Sequence, residues 1–263
     1  MRLMFLFFCT VLFFACKTDT KVESQFMDKE ENKTVMKTES SIALSKVMGQ
    51  FEPAKDQDFT LVEKKYADRT GMYIQKETYD AFKEMWAHAQ KEGVELVIRS
   101  ATRNFDYQKG IWERKWTGQT KVSGDDLSKT MPNHKERALE ILHYSSMPGT
   151  SRHHWGTDID FNSFDNNYFE SGTGLKVYNW LVKNAPNYGF FRPYTEKGTS
   201  RPHGYEEEKW HWSYNPLASQ YMTTATTKLK NEMIQGFKGS ETAIEIDVVD
   251  KYVKGVGNIE NQK

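Results

Sequence analysis

The stretch Ser151-Arg-His-His-Trp-Gly-Thr-Asp-Ile-Asp160 decides the reading of this chain. Two His and two Asp lie within eight residues of one another, and residues 156–162 (GTDIDFN) alternate polar and apolar as a strand does. About fifty residues on comes Glu208-Lys-Trp-His211, inside a second strand-like run, Lys209 to Tyr214. A hydrolytic metal site needs about three neutral or anionic ligands, an open position and a nearby carboxylate base. These two segments supply candidates for each part. His153 or His154, Asp158 or Asp160, and His211 are the possible ligands, with Glu208 as the base. Strand alternation sets His211 on the opposite face from Trp210 and Trp212. Glu208 must then sit where the chain leads into the strand or bends. Spacing alone does not choose between the two His or the two Asp.

Around this centre the pattern is mixed. Tyr79, Phe82, Met85, Trp86 and Ala89 recur at helical spacing, and Gly93 closes the segment. Val94 to Arg99 reads as a short strand. Phe105, Gln108, Ile111, Trp112 and Trp116 mark a second helix, residues 117–133 a long polar loop, and His134 to Tyr144 a third helix. Leu175 to Ala185 is an amphipathic helix and Gly189 to Arg192 another strand. Helices followed by mixed strands and helices predict an α+β fold: a small antiparallel sheet with helices packed on it and the site in an open cleft.

Composition excludes other classes. The 263 residues carry 36 Lys+Arg and 36 Asp+Glu, so the basic footprint of a nucleic-acid binder is absent. Seven Trp, 13 Tyr and 16 Phe are enough to fill a core. Trp155, Trp180, Trp210, Trp212, Phe190 and Phe191 are read as core residues. The two Cys, Cys9 and Cys16, both fall in the first sixteen residues, so the body has no disulfide and no thiolate ligand.

The chain opens MRLMFLFFCTVLFFAC, a short positive region followed by an apolar run the size of a signal-peptide core. Residues 1–15 are expected to be a signal peptide and Cys16 a lipidated residue, although Phe13 stands where lipoproteins usually carry Leu. Residues 17–50, rich in Lys, Glu, Thr and Ser, read as a solvated tether spanning roughly 30 Å. The domain limits expected are 51–225 for the catalytic part and 226–263 for a charged, peripheral end.

The segments resemble the D-alanyl-D-alanine carboxypeptidases of VanY type, zinc peptidases of the hedgehog-like fold. The pattern S-x-H-x-x-G-x-x-x-D falls on Ser151, His153, Gly156 and Asp160, and E-x-W-H on Glu208, Trp210 and His211. S-x-x-R-x-x-x-x-Q falls on Ser100, Arg103 and Gln108. Order and spacing agree over about residues 75–215. Lys209 stands where the family commonly has Pro.

The resemblance implies that His153, Asp160 and His211 hold one Zn²⁺ and that Glu208 is the general base. It leaves His154 and Asp158 in supporting roles. It further implies that Arg103 steadies the oxyanion or the substrate carboxyl groups, that Gln108, with Ser151, helps bind the free carboxylate of the terminal residue, and that Ser100 binds substrate. The expected activity is release of the terminal D-alanine of peptidoglycan stem peptides by a monomer held at the cell envelope through Cys16, facing the periplasm or the exterior. The alternatives are an L,D-carboxypeptidase on tetrapeptides, an endopeptidase on cross-links, a catalytically silent wall-binding lipoprotein and a structural metal protein. His203 is read as a loop residue.

Overall fold

The computed structural model describes residues 42–258. The helices are α1 (Leu44–Val47), α2 (Lys76–Lys91), α3 (Phe105–Trp116), α4 (Leu127–Thr130), α5 (His134–Ile141), α6 (Gly172–Asn184), α7 (Asn215–Lys228) and α8 (Thr242–Ile246). The strands are β1 (Phe59–Leu61), β2 (Tyr73–Gln75), β3 (Ile98–Ser100), β4 (Asp158–Phe161), β5 (Phe190–Phe191) and β6 (His211–Tyr214). β1 and β2 form an antiparallel pair, and the other four strands a sheet of order β3-β4-β6-β5 with every neighbour antiparallel. The α+β class is as expected.

The register of this sheet builds the site. Ser100 pairs with Asp160, Asp160 with His211, and Asp158 with Ser213. Side chains alternate along a strand, so Asp158, Asp160, His211, Ser213 and Ser100 share one face. Ile98, Ile159, Phe161, Trp210 and Trp212 belong to an apolar cluster with residues of α2 and α6, such as Phe82, Met85 and Leu181. The polar face is covered by the 3-10 turn Arg152–Trp155. All four residues of β4 are therefore buried despite its alternating pattern. A second apolar cluster joins α3, α5, α7 and α8 around Trp112, Leu142 and Trp155.

Two expected boundaries are corrected. The segment 42–50 is no tether: Leu44, Val47 and Met48 follow an i, i+3, i+4 spacing, and Val47 and Met48 are buried in the second cluster. Trp155 Nε1 donates to the Val47 carbonyl (3.2 Å), and the Phe105 N–H to that of Gly49 (2.8 Å). The end is not peripheral either. Leu229, Ile234, Phe237, Ala243, Ile246, Val248, Val249 and Val253 are buried in the same cluster, with charged residues interspersed between them. In Val94 to Arg99, only Ile98 onward forms a ladder, although Val94 and Leu96 are buried. The polar loop 117–133 contains the single turn α4, capped by Asp126. The expected signal segment, Cys16 and most of the tether lie outside the described residues.

Candidate active site

His153, Asp160 and His211 are brought together with ligand atoms all within 4.8 Å of one another, and all three are buried. His153 comes from the 3-10 turn, which Gly156 ends at φ 71°. A Cβ at Gly156 would lie 2.3 Å from a ring carbon of Phe59, so both backbone and space call for glycine.

Each imidazole has one nitrogen committed. His153 Nδ1 donates to the Ala101 carbonyl at 2.8 Å, which leaves the Nε2 lone pair free. His211 Nε2 donates to Asp158 Oδ1 at 2.8 Å, which turns Nδ1 inward. Nδ1 lies 3.3 Å from Asp160 Oδ1 and 3.1 Å from Glu208 Oε2. His153 Nε2 is 3.1 Å from Asp160 Oδ2 yet has no hydrogen bond, and Asp160 Oδ1 has none either. Two imidazole nitrogens and a carboxylate, oriented by outer partners and left unsatisfied toward one another, suit a divalent transition-metal ion.

Asp158 stands outside the cluster, with both carboxylate oxygens engaged by other side chains. Arg152 Nε donates to its Oδ1 at 3.0 Å, and Thr157 Oγ1 and Ser213 Oγ to its Oδ2 at 2.5 and 3.0 Å. Arg152 Nη2 also donates to Ser213 Oγ at 2.6 Å. Both Asp158 and Arg152 are almost wholly inaccessible. Burial pushes the Asp158 carboxyl up, but Arg152 and His211 outweigh it and hold it well below the usual carboxylate range. The charged form is therefore kept in place to orient His211.

His154, adjacent to His153, faces away from the ligand cluster. Its Nδ1 donates to the Arg103 carbonyl at 2.6 Å and its Nε2 accepts the Gly149 N–H at 3.0 Å. Burial lowers its pKa to about 3, so it is a neutral clip between loops. A Cβ on Gly49, itself at φ 72°, would lie 2.4 Å from that ring. His203 is exposed and far from any such role.

Glu208 precedes β6, and its carboxylate turns back onto His211. Burial raises its pKa, against the opposing pull of His211. Burial disfavours a charged His211, but the neighbouring carboxylates of Asp158, Asp160 and Glu208 raise its pKa well above the usual histidine range.

The remaining candidates lie on β3, in the link to α3, on α3 itself and at the start of the 3-10 turn. Ser100 ends β3 opposite Asp160. Arg103 donates its backbone N–H to the His153 carbonyl at 3.1 Å, and its Nε is buried without a partner. Gln108, fully buried on α3, gives Nε2 to the Ser146 carbonyl at 2.8 Å and leaves Oε1 unpartnered. Ser151 Oγ is also buried and unpartnered. A cavity of about 250 Å³, lined by Tyr73, Ser100, Arg103 and Tyr107 among others, opens on this side. Sequence reasoning passed over Arg152, Thr157 and Ser213, which sit one or two residues from the motif positions.

A profile of the VanY family, described as D-alanyl-D-alanine carboxypeptidase, matches residues 71–217, more than half of the chain. The chain belongs to this family. The putative carboxypeptidase YodJ of Bacillus subtilis (strain 168) is 29% identical over an alignment of 211 residues that covers 75% of this chain and 69% of that protein. The D-alanyl-D-alanine carboxypeptidase of Enterococcus faecalis (strain ATCC 700802 / V583) is 29% identical over 126 residues, 48% of this chain and 42% of that protein. Among solved structures, a vancomycin-resistance D,D-pentapeptidase VanY in complex with Zn(II) aligns with a TM-score of 0.47 at 22% identity, covering 69% of this chain and 92% of that one. All three VanY motifs lie within the matched residues, and two of them supply His153, Asp160 and His211, which meet at the β4–β6 face.

Proposed function

We propose that this VanY-family protein is a zinc carboxypeptidase that releases the terminal D-alanine of peptidoglycan stem peptides, held at the cell envelope by a lipid on Cys16. The observation that carries the reading is the inward-turned trio of His153 Nε2, His211 Nδ1 and the Asp160 carboxylate, with Glu208 beside it. Zinc, when bound, would be held by those three side chains and would supply an acidified water and a polarised scissile carbonyl.

The residues of the chain do the rest. Glu208 takes a proton from the attacking water on its carboxylate and delivers it to the leaving amine. Its burial favours this, because a more basic carboxylate accepts the proton more readily. Asp158 holds a proton on His211 Nε2 throughout and so keeps Nδ1 aimed inward. Arg103 offers preorganised positive charge to the developing oxyanion or to the substrate carboxylate. Ser151 Oγ donates to the terminal carboxylate, whereas Gln108 has given its Nε2 to Ser146, so its free Oε1, an acceptor, suits a substrate N–H instead of the carboxylate expected of it.

The test is incubation of the purified protein with a defined stem pentapeptide ending in D-Ala-D-Ala, with and without chelator. Release of D-alanine that chelator stops and zinc restores is expected; a zinc-loaded protein that releases none sinks the reading. Cys16→Ser should move the protein out of the membrane fraction, and persistent membrane association would contradict the anchor.

A further inference from the structure

We propose that Tyr252 is a positioning residue for the catalytic base: with the strap that carries it, residues 249–257, it braces the loop that holds Glu208. This rests on the carboxypeptidase reading above. The strap itself lies beyond the family match, which ends at residue 217.

Glu208 stands in the connection between β5 and β6, residues 192–210, which contains Pro193, Gly198, Pro202 and Gly204 and lies outside the sheet. Such a loop is mobile unless something ties it down, whereas a catalytic group must be held to about 0.5 Å. Arg201 ties the loop from within. Its buried guanidinium donates to the carbonyls of Thr195, His203 (3.1 Å) and Tyr205 (2.7 Å). Tyr194 and Tyr205, both buried, stand ring against ring at 4.9 Å. Tyr194 then reaches the site twice: its ring lies 4.7 Å from that of His211, and its carbonyl accepts the Glu208 N–H at 3.0 Å.

The strap closes on the far side of this pair. Val249–Val253 form a π-helical turn, closed by the Lys254 N–H on the Val249 carbonyl at 3.1 Å, and Val249 and Val253 are buried. The turn sets the Tyr252 ring 5.2 Å from that of Tyr205. Tyr252, Tyr205, Tyr194 and His211 thus stand in a file, each ring edge-on to the next. Two backbone contacts pin the strap to the same loop. Gly257 donates its N–H to the Pro193 carbonyl at 2.7 Å. Gly204, at φ 94°, runs so close to Gly255 that a Cβ on it would lie 2.2 Å from the Gly255 carbonyl oxygen. His211 has fixings of its own, the β4 ladder and Asp158. Glu208 precedes the ladder; its N–H hangs on Tyr194, while Asn166 holds its neighbours Glu207 and Lys209. Loosening the strap therefore shifts the base and spares the metal ligands.

The experiment measures kcat and KM on a stem pentapeptide, zinc content, and peptide-level hydrogen–deuterium exchange for the zinc-loaded full chain carrying Tyr252→Ala or Tyr252→Phe. Tyr252→Ala should lower kcat ~10–100-fold at unchanged KM and full zinc content, since a displacement of about 1 Å costs that much. Exchange should quicken in residues 193–208 and stay unchanged in β4 and β6. Tyr252→Phe keeps the ring and should restore most of both. Gly204→Ala, which forces the strap off from the loop side, should repeat the Tyr252→Ala result and replaces it if that variant does not fold. An unchanged kcat, a loss carried by KM or by missing zinc, or exchange that quickens throughout the domain overturns the proposal. If the unaltered protein releases no D-alanine, the reaction assignment fails, and the exchange pattern alone decides whether the strap braces the loop.

Discussion

The two sides of the site are built on opposite rules. On the β4–β6 side the outward-facing polar atoms have partners, and only His153 Nε2 and Asp160 Oδ1, which face the centre, do not: Ala101 fixes His153, Asp158 fixes His211, and Arg152, Thr157 and Ser213 fix Asp158. On the side of α3 and the loop 143–150, polar atoms of Arg103, Gln108 and Ser151 are buried with nothing to bind. A buried polar atom without a partner costs about 1–3 kcal/mol, so three on one wall are a standing cost that a ligand removes. The saturated side holds chemistry rigid, and the unsaturated side waits for substrate.

The sharpest break in this comparison is on the saturated side. Glu208→Gln should lower kcat by ~10³-fold or more while bound metal, measured by elemental analysis, stays stoichiometric. His153→Ala should instead lose the metal, whereas His154→Ala keeps it; the opposite pair of results would move the ligand position by one residue. Next in size is Asp158→Asn. It leaves Arg152 as a buried charge with no counter-ion, which costs about 3–5 kcal/mol of stability. It also weakens metal affinity ~10–100-fold. Wild-type metal affinity with stability at that position would detach Asp158 from the centre.

Acid probes the same architecture. His154 has a pKa of about 3 in the fold and an ordinary value of 6.5, so the unfolded chain gains a proton that the fold refuses. Its contribution is complete above pH 6.5 and is lost as pH falls toward about 3. Chemical denaturation across that window should show the loss, smaller in His154→Gln. Metal affinity should fall over acidic pH as well, since the proton on ion-free His211 must leave before a cation enters. The smallest effect concerns the outer clip: Gly49→Ala presses a methyl on His154 at positive φ and should cost about 1–3 kcal/mol in stability.

The saturated side was legible in the sequence and the unsaturated side only partly so. His153, Asp160, His211 and Glu208 sit in two compact motifs, and their spacing carries the strand register that aligns Asp160 with His211. What spacing could not decide, His153 against His154, depends on which way a 3-10 turn points each ring. Asp158 against Asp160 was equally open, because both share a strand face and their roles are separated by Arg152, Thr157 and Ser213, whose side chains the fold turns onto Asp158. Gln108 could as well have been exposed, since its burial depends on a loop nearly forty residues away. The ends misled for another reason. Apolar residues of 42–50 and 229–253 are diluted among charges, and their burial comes from α3, α5 and α7, which no local pattern reports.

The packing of residues 42–50 has a mechanical meaning. Tension applied at Ile42 reaches the backbone hydrogen bonds of Val47 with Trp155 and of Gly49 with Phe105 before anything else in the catalytic face. Those bonds grip the turn that carries His153 and the start of the helix that carries Gln108. A load strong enough to peel α1 away would pull apart the two walls of the cleft together, so stretching this domain from its leading end would silence it before unravelling it.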